Sequence, residues 1–157
     1  EDDVHAGKAC HMDRGAKEGH ASLAQPRAAP VDVVLDRNPS DPIHTVGFHV
    51  AGGTIRHVHA PSPEEYLRGL KHAVRHTVPK PIAVVVCYPS NPTAQTATLD
   101  FYRQVVEFAT EHDLFILSDL AYAEVYFGDT PTPSMLQIDG ARERTIEFTS
   151  MSKTYSM

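Results

Sequence analysis

The sequence has few cysteines, no basic surplus and no long apolar run, and each absence argues against a class of protein. Only Cys10 and Cys87 are present, so no disulfide framework is expected. Lys and Arg number 14 against 20 Asp and Glu, and the net charge of −6 argues against a nucleic-acid partner or a basic membrane anchor. No stretch approaches the roughly 18–20 apolar residues of a membrane span, and the acidic start EDDVHAGK lacks the parts of a signal peptide. We therefore expect a soluble, cytoplasmic protein.

The chain reads as one domain with an α/β pattern. Residues 1–14 show neither strand nor helix periodicity, and we treat them as an unpatterned leader. From Gly15 onward, short apolar runs alternate with amphipathic stretches, which is typical of a mostly parallel sheet with helices on both faces. The predicted strands are residues 31–35, 54–59, 82–87, 114–117 and 145–149. The apolar, β-branched run 82–87 is expected to be central because such a strand is covered on both faces.

Three helices can be predicted, two of them with start signals. One covers residues 17–25. Ser62 followed by Pro63 and Glu65 predicts the start of another, and Thr98 is the expected N-cap of the third. Residues 43–50 are periodic, but the pattern does not decide between helix and strand.

Polar side chains follow three of the predicted strands, where open α/β sheets bind ligands. Asn91 follows the central strand in YPSNPT, Asp119 and Tyr122 follow the next in SDLAY, and Lys153 follows the last in SMSK. A glycine-containing helix start, GAKEG at residues 15–19, is a fourth candidate, since helix starts bind phosphate.

In the order GAKEG, NPSDPIH, PSNPTA, SDLAY and SMSKTYSM, these segments resemble the fold-type-I aminotransferases that use pyridoxal 5'-phosphate. In sequence, these segments are most similar to the branch of the family that makes alanine or LL-diaminopimelate. The resemblance implies a partial large domain over residues 15–157, without the small domain and the carboxyl-terminal part. It also implies transamination between an amino acid and a 2-oxo acid, with the alanine and glutamate type preferred, in an enzyme whose full-length form is a homodimer.

The resemblance assigns a role to each matching residue. Lys153 would be the catalytic lysine that forms the Schiff base with the cofactor. Asp119 would face the ring nitrogen, and Asn91 and Tyr122 would hydrogen-bond the phenolic oxygen. The cofactor phosphate would bind four residues: Gly15, Ala16, Lys17 and Ser150.

One position departs from the family pattern. The family has a ring-stacking aromatic residue just before PIH, and Asp41 stands there instead. His44 completes PIH, but we assign it no role. The pairs His57 with His59 and His72 with His76 have metal-ligand spacings but lack a third ligand, so no metal site is predicted.

Three alternatives remain open. The first is a truncated or decayed fragment without activity, which Asp41 and the short length favour. The same cofactor apparatus also serves other reactions such as carbon–sulfur lysis. Ser150 and Lys153 fit the SxxK pattern of serine hydrolases, although the later motifs of that class are absent from this sequence.

Overall fold

The computed structural model of the protein describes residues 32–157, which form a five-stranded parallel sheet with helices on both faces. The strands are β1 (Val33–Asn38), β2 (Thr54–His59), β3 (Pro81–Cys87), β4 (Phe115–Asp119) and β5 (Thr145–Phe148). Their spatial order is β2-β1-β3-β4-β5, and every neighbouring pair is parallel. The predicted α/β class and the central position of the apolar run are confirmed.

The helices are α1 (Pro42–Val50), α2 (Pro63–His76), α3 (Leu99–Glu111) and α4 (Met151–Thr154). Two 3-10 turns, Met135–Gln137 and Ala141–Glu143, precede β5. Alternate residues of β3 enter two separate cores: Val84 packs with α2 and α3, whereas Val85 packs with Phe48 of α1 on the other face. Among residues 32–157, no helix has the length and apolarity needed to cross a bilayer.

Both predicted helix starts are confirmed. The Ser62 side chain accepts a hydrogen bond from the Glu65 backbone N–H at 3.3 Å, and the Thr98 side chain accepts one from the Phe101 N–H at 3.2 Å. Each bond satisfies a backbone donor that the first helical turn leaves without an intrahelical partner. The local sequence therefore fixes where α2 and α3 begin.

The segment 43–50, left undecided by its pattern, is the helix α1. Asp41 caps it, because its Oδ1 accepts from the Ile43 N–H at 3.1 Å, and Pro42 occupies the first position. The strand predicted over 31–35 extends instead through Asp36 and Arg37 to Asn38, and the strand predicted over 114–117 runs on to Asp119. Charged residues argue against a buried strand. Here, however, Asp36, Arg37 and Asp119 form hydrogen bonds or ion pairs with residues from other parts of the chain. The helix predicted over 17–25 lies outside the described residues.

Gly69 marks a close approach between α2 and β2. A Cβ at this position would overlap with the Cγ1 methyl of Val58, whose side chain is buried. We expect Gly69→Ala to lower the free energy of unfolding by about 1–2 kcal/mol, because overpacking outweighs the better helix propensity of alanine. Urea denaturation would measure this, with Lys71→Ala on the exposed side of α2 as the control. A more stable Gly69→Ala variant would contradict the packing argument.

Candidate functional site

The carboxyl ends of β1, β3 and β4 bring the main polar groups together. In the described sheet, the chain passes from β1 outward to β2 and then returns to β3 on the other side of β1. Ligands of open α/β sheets bind at such a reversal of strand order. Asp41 after β1 and Asn91 after β3 meet there, and the Asn91 Nδ2 donates a hydrogen bond to the Asp41 Oδ2 at 2.7 Å.

A buried ion-pair chain lies beneath this edge. His44 is fully buried; its Nε2 lies 2.9 Å from the Asp119 Oδ2, and its Nδ1 lies 3.5 Å from the Asp36 Oδ2. Burial alone would lower the pKa of His44, but the hydrogen bond to Asp119 and the nearby carboxylate of Asp36 outweigh it and raise the pKa to about 9. The ring is therefore an imidazolium between two carboxylates at neutral pH. The other Asp119 oxygen, Oδ1, accepts the Ala121 backbone N–H at 3.1 Å.

Asn91 and Tyr122 face a common cavity of about 580 Å³, which lies between the loop after β3 and the segment after β4. This size suits a small organic ligand. Partial burial raises the pKa of Tyr122, and the negative charges of Asp41 and Asp119 add to that shift. The hydroxyl of Tyr122 therefore stays protonated at neutral pH and can donate a hydrogen bond.

Ser150 and Lys153 lie at the start of α4, directly after β5. Because β5 pairs with β4, with Phe148 opposite Asp119, this helix begins beside the carboxyl end of β4. Ser150 is buried and its Oγ lies 2.9 Å from the Ser152 Oγ. The Lys153 backbone N–H donates to the Ser150 carbonyl at 3.2 Å, and the Lys153 side chain is exposed.

The structure thus brings Asn91, Asp119 and Tyr122 into one region and sets Ser150 and Lys153 directly after the adjacent strand β5. The three remaining predicted phosphate-binding residues lie outside the described residues: Gly15, Ala16 and Lys17. The polar groups that are described fit the cofactor implied by the sequence. A buried carboxylate held by an imidazolium suits a pyridinium nitrogen, and an amide with a phenol suits a phenolic oxygen.

The fit between the described residues and the cofactor fails at one position, where the family has an aromatic residue stacked on the cofactor ring. Asp41 offers no aromatic face, and both of its oxygens are already engaged, one by the α1 cap and the other by Asn91. Asp41 therefore has a structural role at the carboxyl edge of the sheet. A flat ligand in the cavity would need its apolar contacts from other residues.

One group of metal-ligand type lies within the described residues. The ligand atoms of His44, Cys87 and Asp119 all lie within 4.8 Å of one another. However, burial and the nearby Asp119 raise the pKa of Cys87 to about 12, so that both the thiol and the imidazolium carry protons at neutral pH. A metal would have to displace both protons and break the His44–Asp119 ion pair. Ion pairing is the chemistry that this geometry favours.

The exposed side chains of His72 and His76 contact each other within α2. The two rings stack at 4.2 Å between centroids, and the His76 Nδ1 donates to the His72 carbonyl at 2.8 Å.

Sequence reasoning missed two residues and left a third without a role. Asp36 and Arg37 are buried at the end of β1, and His44 contacts Asp119 although the sequence assigned it nothing. One signal was available: two adjacent charges directly follow the apolar run VVL. A charged pair at the carboxyl end of a buried parallel strand points into the region where such sheets bind ligands.

Comparison with known proteins agrees with this geometry. The sequence model of the family "Aminotransferase class I and II" matches residues 6–157. Over 143 residues, or 91% of this chain, the sequence is 57% identical to a Rhizobium meliloti protein named aminotransferase AatC. Over the same length it is 39% identical to the glutamate-pyruvate aminotransferase AlaC of Escherichia coli and 38% identical to an LL-diaminopimelate aminotransferase of Aquifex aeolicus. The match covers 35% of AatC, 35% of AlaC and 37% of the Aquifex protein, so the chain spans about a third of the length of these relatives.

Solved structures show the same fold. The aromatic aminotransferase of Pyrococcus horikoshii superposes with a TM-score of 0.81 at 27% identity, covering 91% of this chain and 38% of the other. The strand order, the polar carboxyl edge and the family match over residues 6–157 agree with one another. The chain belongs to the class I and II aminotransferase family.

Proposed function

We propose that the protein, expressed from its complete reading frame, is a pyridoxal-phosphate-dependent aminotransferase that moves an amino group between an amino acid and a 2-oxo acid. The observation that carries the proposal is the buried His44–Asp119 ion pair beside a cavity lined by Asn91 and Tyr122. Family membership supports it, because the relatives named above are aminotransferases.

Each polar group of the cofactor has a proposed holder in this chain. Asp119 would bind the ring nitrogen, Asn91 and Tyr122 the phenolic oxygen, and Ser150 the phosphate together with the segment Gly15–Lys17. Lys153 would form the Schiff base. When bound, the cofactor supplies an electron sink that stabilises negative charge at the α-carbon of the substrate.

The protein's own contribution is charge and proton control. His44 lies between Asp36 and Asp119, so the site keeps a net negative charge even though the imidazolium is buried. That charge favours a protonated ring nitrogen. The exposed amine of Lys153 is free of the buried network and, in its neutral form, can accept the proton that leaves the α-carbon.

Asn91 can serve the cofactor without leaving Asp41. Its amide nitrogen has two hydrogens, and the contact at 2.7 Å with Asp41 uses one of them. The second hydrogen is the one we assign to the phenolic oxygen. Asp41 then acts as an anchor that orients the amide.

For the substrates, we propose alanine and glutamate with their 2-oxo acids, by analogy with AlaC, and LL-diaminopimelate as the second candidate. We further propose that residues 15–157 are part of a large domain and that the complete enzyme is a homodimer. The serine hydrolase alternative loses support, because Ser150 is buried and its hydroxyl contacts Ser152.

The test uses the protein from its complete reading frame, purified and supplied with pyridoxal phosphate. We expect a visible absorbance band that changes on addition of alanine, and conversion of alanine and 2-oxoglutarate to pyruvate and glutamate, followed by coupled pyruvate reduction. Absence of the band at saturating cofactor would favour the non-catalytic alternative. A band accompanied by pyruvate and ammonium release from cysteine, without amino transfer, would favour a carbon–sulfur lyase.

A further inference from the structure

Arg37 is a buried guanidinium whose donors all have acceptors. The residue lies next to the end of β1 and is 5% exposed. Its five N–H groups contact the Pro39 carbonyl (Nε, 3.2 Å), the Tyr88 hydroxyl (Nη1, 3.4 Å), the Gln95 Oε1 (Nη1, 2.7 Å), the Ser90 Oγ (Nη2, 2.5 Å) and the Thr93 Oγ1 (Nη2, 2.8 Å). Burying a cation is unfavourable unless its hydrogen bonds are made, and here they are.

These acceptors are neutral, so the contact is not an ion pair within residues 32–157. Four of the five belong to one segment, residues 88–95, which follows β3. The guanidinium carbon also lies 5.2 Å from the centroid of the Tyr88 ring, within cation–π range. A single side chain of β1 thereby holds the loop that leaves the neighbouring strand.

The same segment is folded back on itself around Asn91. The Ser90 N–H donates to the Gln95 carbonyl at 2.9 Å, and the Ala94 N–H donates to the Ser90 carbonyl at 2.7 Å. The Ser90 and Thr93 hydroxyls lie 2.9 Å apart and share the Nη2 of Arg37. Asn91 therefore stands between two residues that Arg37 holds, while its own amide binds Asp41.

We propose that Arg37 is a positioning residue that orients Asn91 toward the cavity it shares with Tyr122. The role rests on the proposed function, in which Asn91 donates to the phenolic oxygen of the cofactor. Arg37 acts through the loop, since its own donors are all used within the protein. A fork of five donors can hold two hydroxyls, an amide and a phenol at once, which a lysine cannot do.

A purely structural role would make a different prediction. If Arg37 only stabilises the fold, its effect on the bound cofactor is independent of Asn91. If it orients Asn91, its effect disappears once the Asn91 amide is removed.

The test therefore uses Arg37→Lys, Asn91→Ala and the double variant in the protein from its complete reading frame. Arg103→Lys serves as the matched control, because Arg103 is an exposed arginine paired with Asp100 on α3.

The first measurement needs no cofactor. Hydrogen–deuterium exchange of the peptide covering residues 88–95 is expected to be faster in Arg37→Lys by at least about fivefold and unchanged in Arg103→Lys. Unchanged exchange in Arg37→Lys would overturn the proposal, whatever the cofactor does.

The second measurement is the pH midpoint of the visible absorbance change of the protein loaded with pyridoxal phosphate. We expect Asn91→Ala to raise the midpoint by about one unit, because it removes a hydrogen bond to a charged oxygen. Arg37→Lys is expected to raise it by about half as much, and by nothing further in the Asn91→Ala background. Equal shifts in both backgrounds, or no shift from Arg37→Lys alone, would overturn the proposal.

Thr93→Val provides a second route if Arg37→Lys does not fold. It removes one acceptor of the guanidinium at an exposed position and nearly preserves the side-chain shape. The expected shift is smaller, in the same direction and absent in the Asn91→Ala background; a shift that persists there would overturn the proposal. If the unaltered protein shows no cofactor band, the proposed function fails, and the role of Arg37 toward the cofactor fails with it.

Discussion

Replacement of Lys153 by alanine is expected to abolish borohydride-stable attachment of pyridoxal phosphate and to lower amino transfer by about 10³-fold or more. The reason is that one amine has two tasks in the proposed reaction, attachment to the cofactor aldehyde and movement of the α-proton. Lys153 is exposed at the start of α4, next to the strand that ends in Asp119, so its loss removes no buried contact. The fold should therefore be unaffected.

The matched control is Lys80→Ala, an exposed lysine before β3. It should keep both the reducible band and the activity of the unaltered protein. Added methylamine should restore part of the activity of Lys153→Ala, because a small free amine can carry the proton but cannot tether the cofactor. A Lys153→Ala protein that still retains the reduced cofactor after borohydride treatment and denaturation would show that another amine is used.

Local sequence signals predicted much of the sheet and of its helices. Ser62 and Thr98 begin their helices as expected, because a capping hydroxyl acts on backbone groups only three residues away. The run 82–87 is central because continuous apolar, β-branched residues suit a strand covered on both faces. These features depend on neighbours in the chain, so a reading of the chain can find them.

The buried charges could not be predicted in the same way. Arg37 finds its acceptors in the segment after β3, more than fifty positions away, and His44 contacts Asp119 across 75 positions. Without knowledge of those partners, the two charged residues after VVL predict only that the strand ends there. The carboxyl edge itself could be anticipated, since Asn91 follows β3 and Asp119 ends β4, two strands of one parallel sheet.

Asp41 shows the opposite case, in which a resemblance identified the position but not its role. The family pattern places an aromatic ring there, whereas the structure gives Asp41 two hydrogen bonds, to the α1 backbone and to Asn91. A carboxylate at a helix N-terminus is stabilised by the backbone N–H groups that an aromatic residue would leave uncapped. The substitution is therefore accommodated by the fold.

Asp119→Asn is expected to reduce amino transfer by about 10²–10³-fold, a loss typical of removing one preorganised electrostatic contact to the reacting group. The amide keeps the shape of the side chain but removes the charge that favours a protonated ring nitrogen. The substitution also removes one of the two carboxylates that face His44, leaving Asp36. Steady-state rates with alanine would measure the first effect, and Asp100→Asn, at an exposed ion pair of α3, should leave them unchanged.

The same variant tests the charge state of His44 through the pH dependence of stability. The pKa of His44 is raised from 6.5 to about 9 in the folded protein, so its ion pairs contribute fully below pH 6.5 and are lost as the pH rises through 9. A shift of that size corresponds to about 3 kcal/mol, and Asp119→Asn should remove a large part of it. Urea denaturation between pH 5.5 and 9.5 should therefore show the largest destabilisation at the acidic end, narrowing toward pH 9. A destabilisation that is constant over this range would contradict the inference that Asp119 raises the pKa of His44.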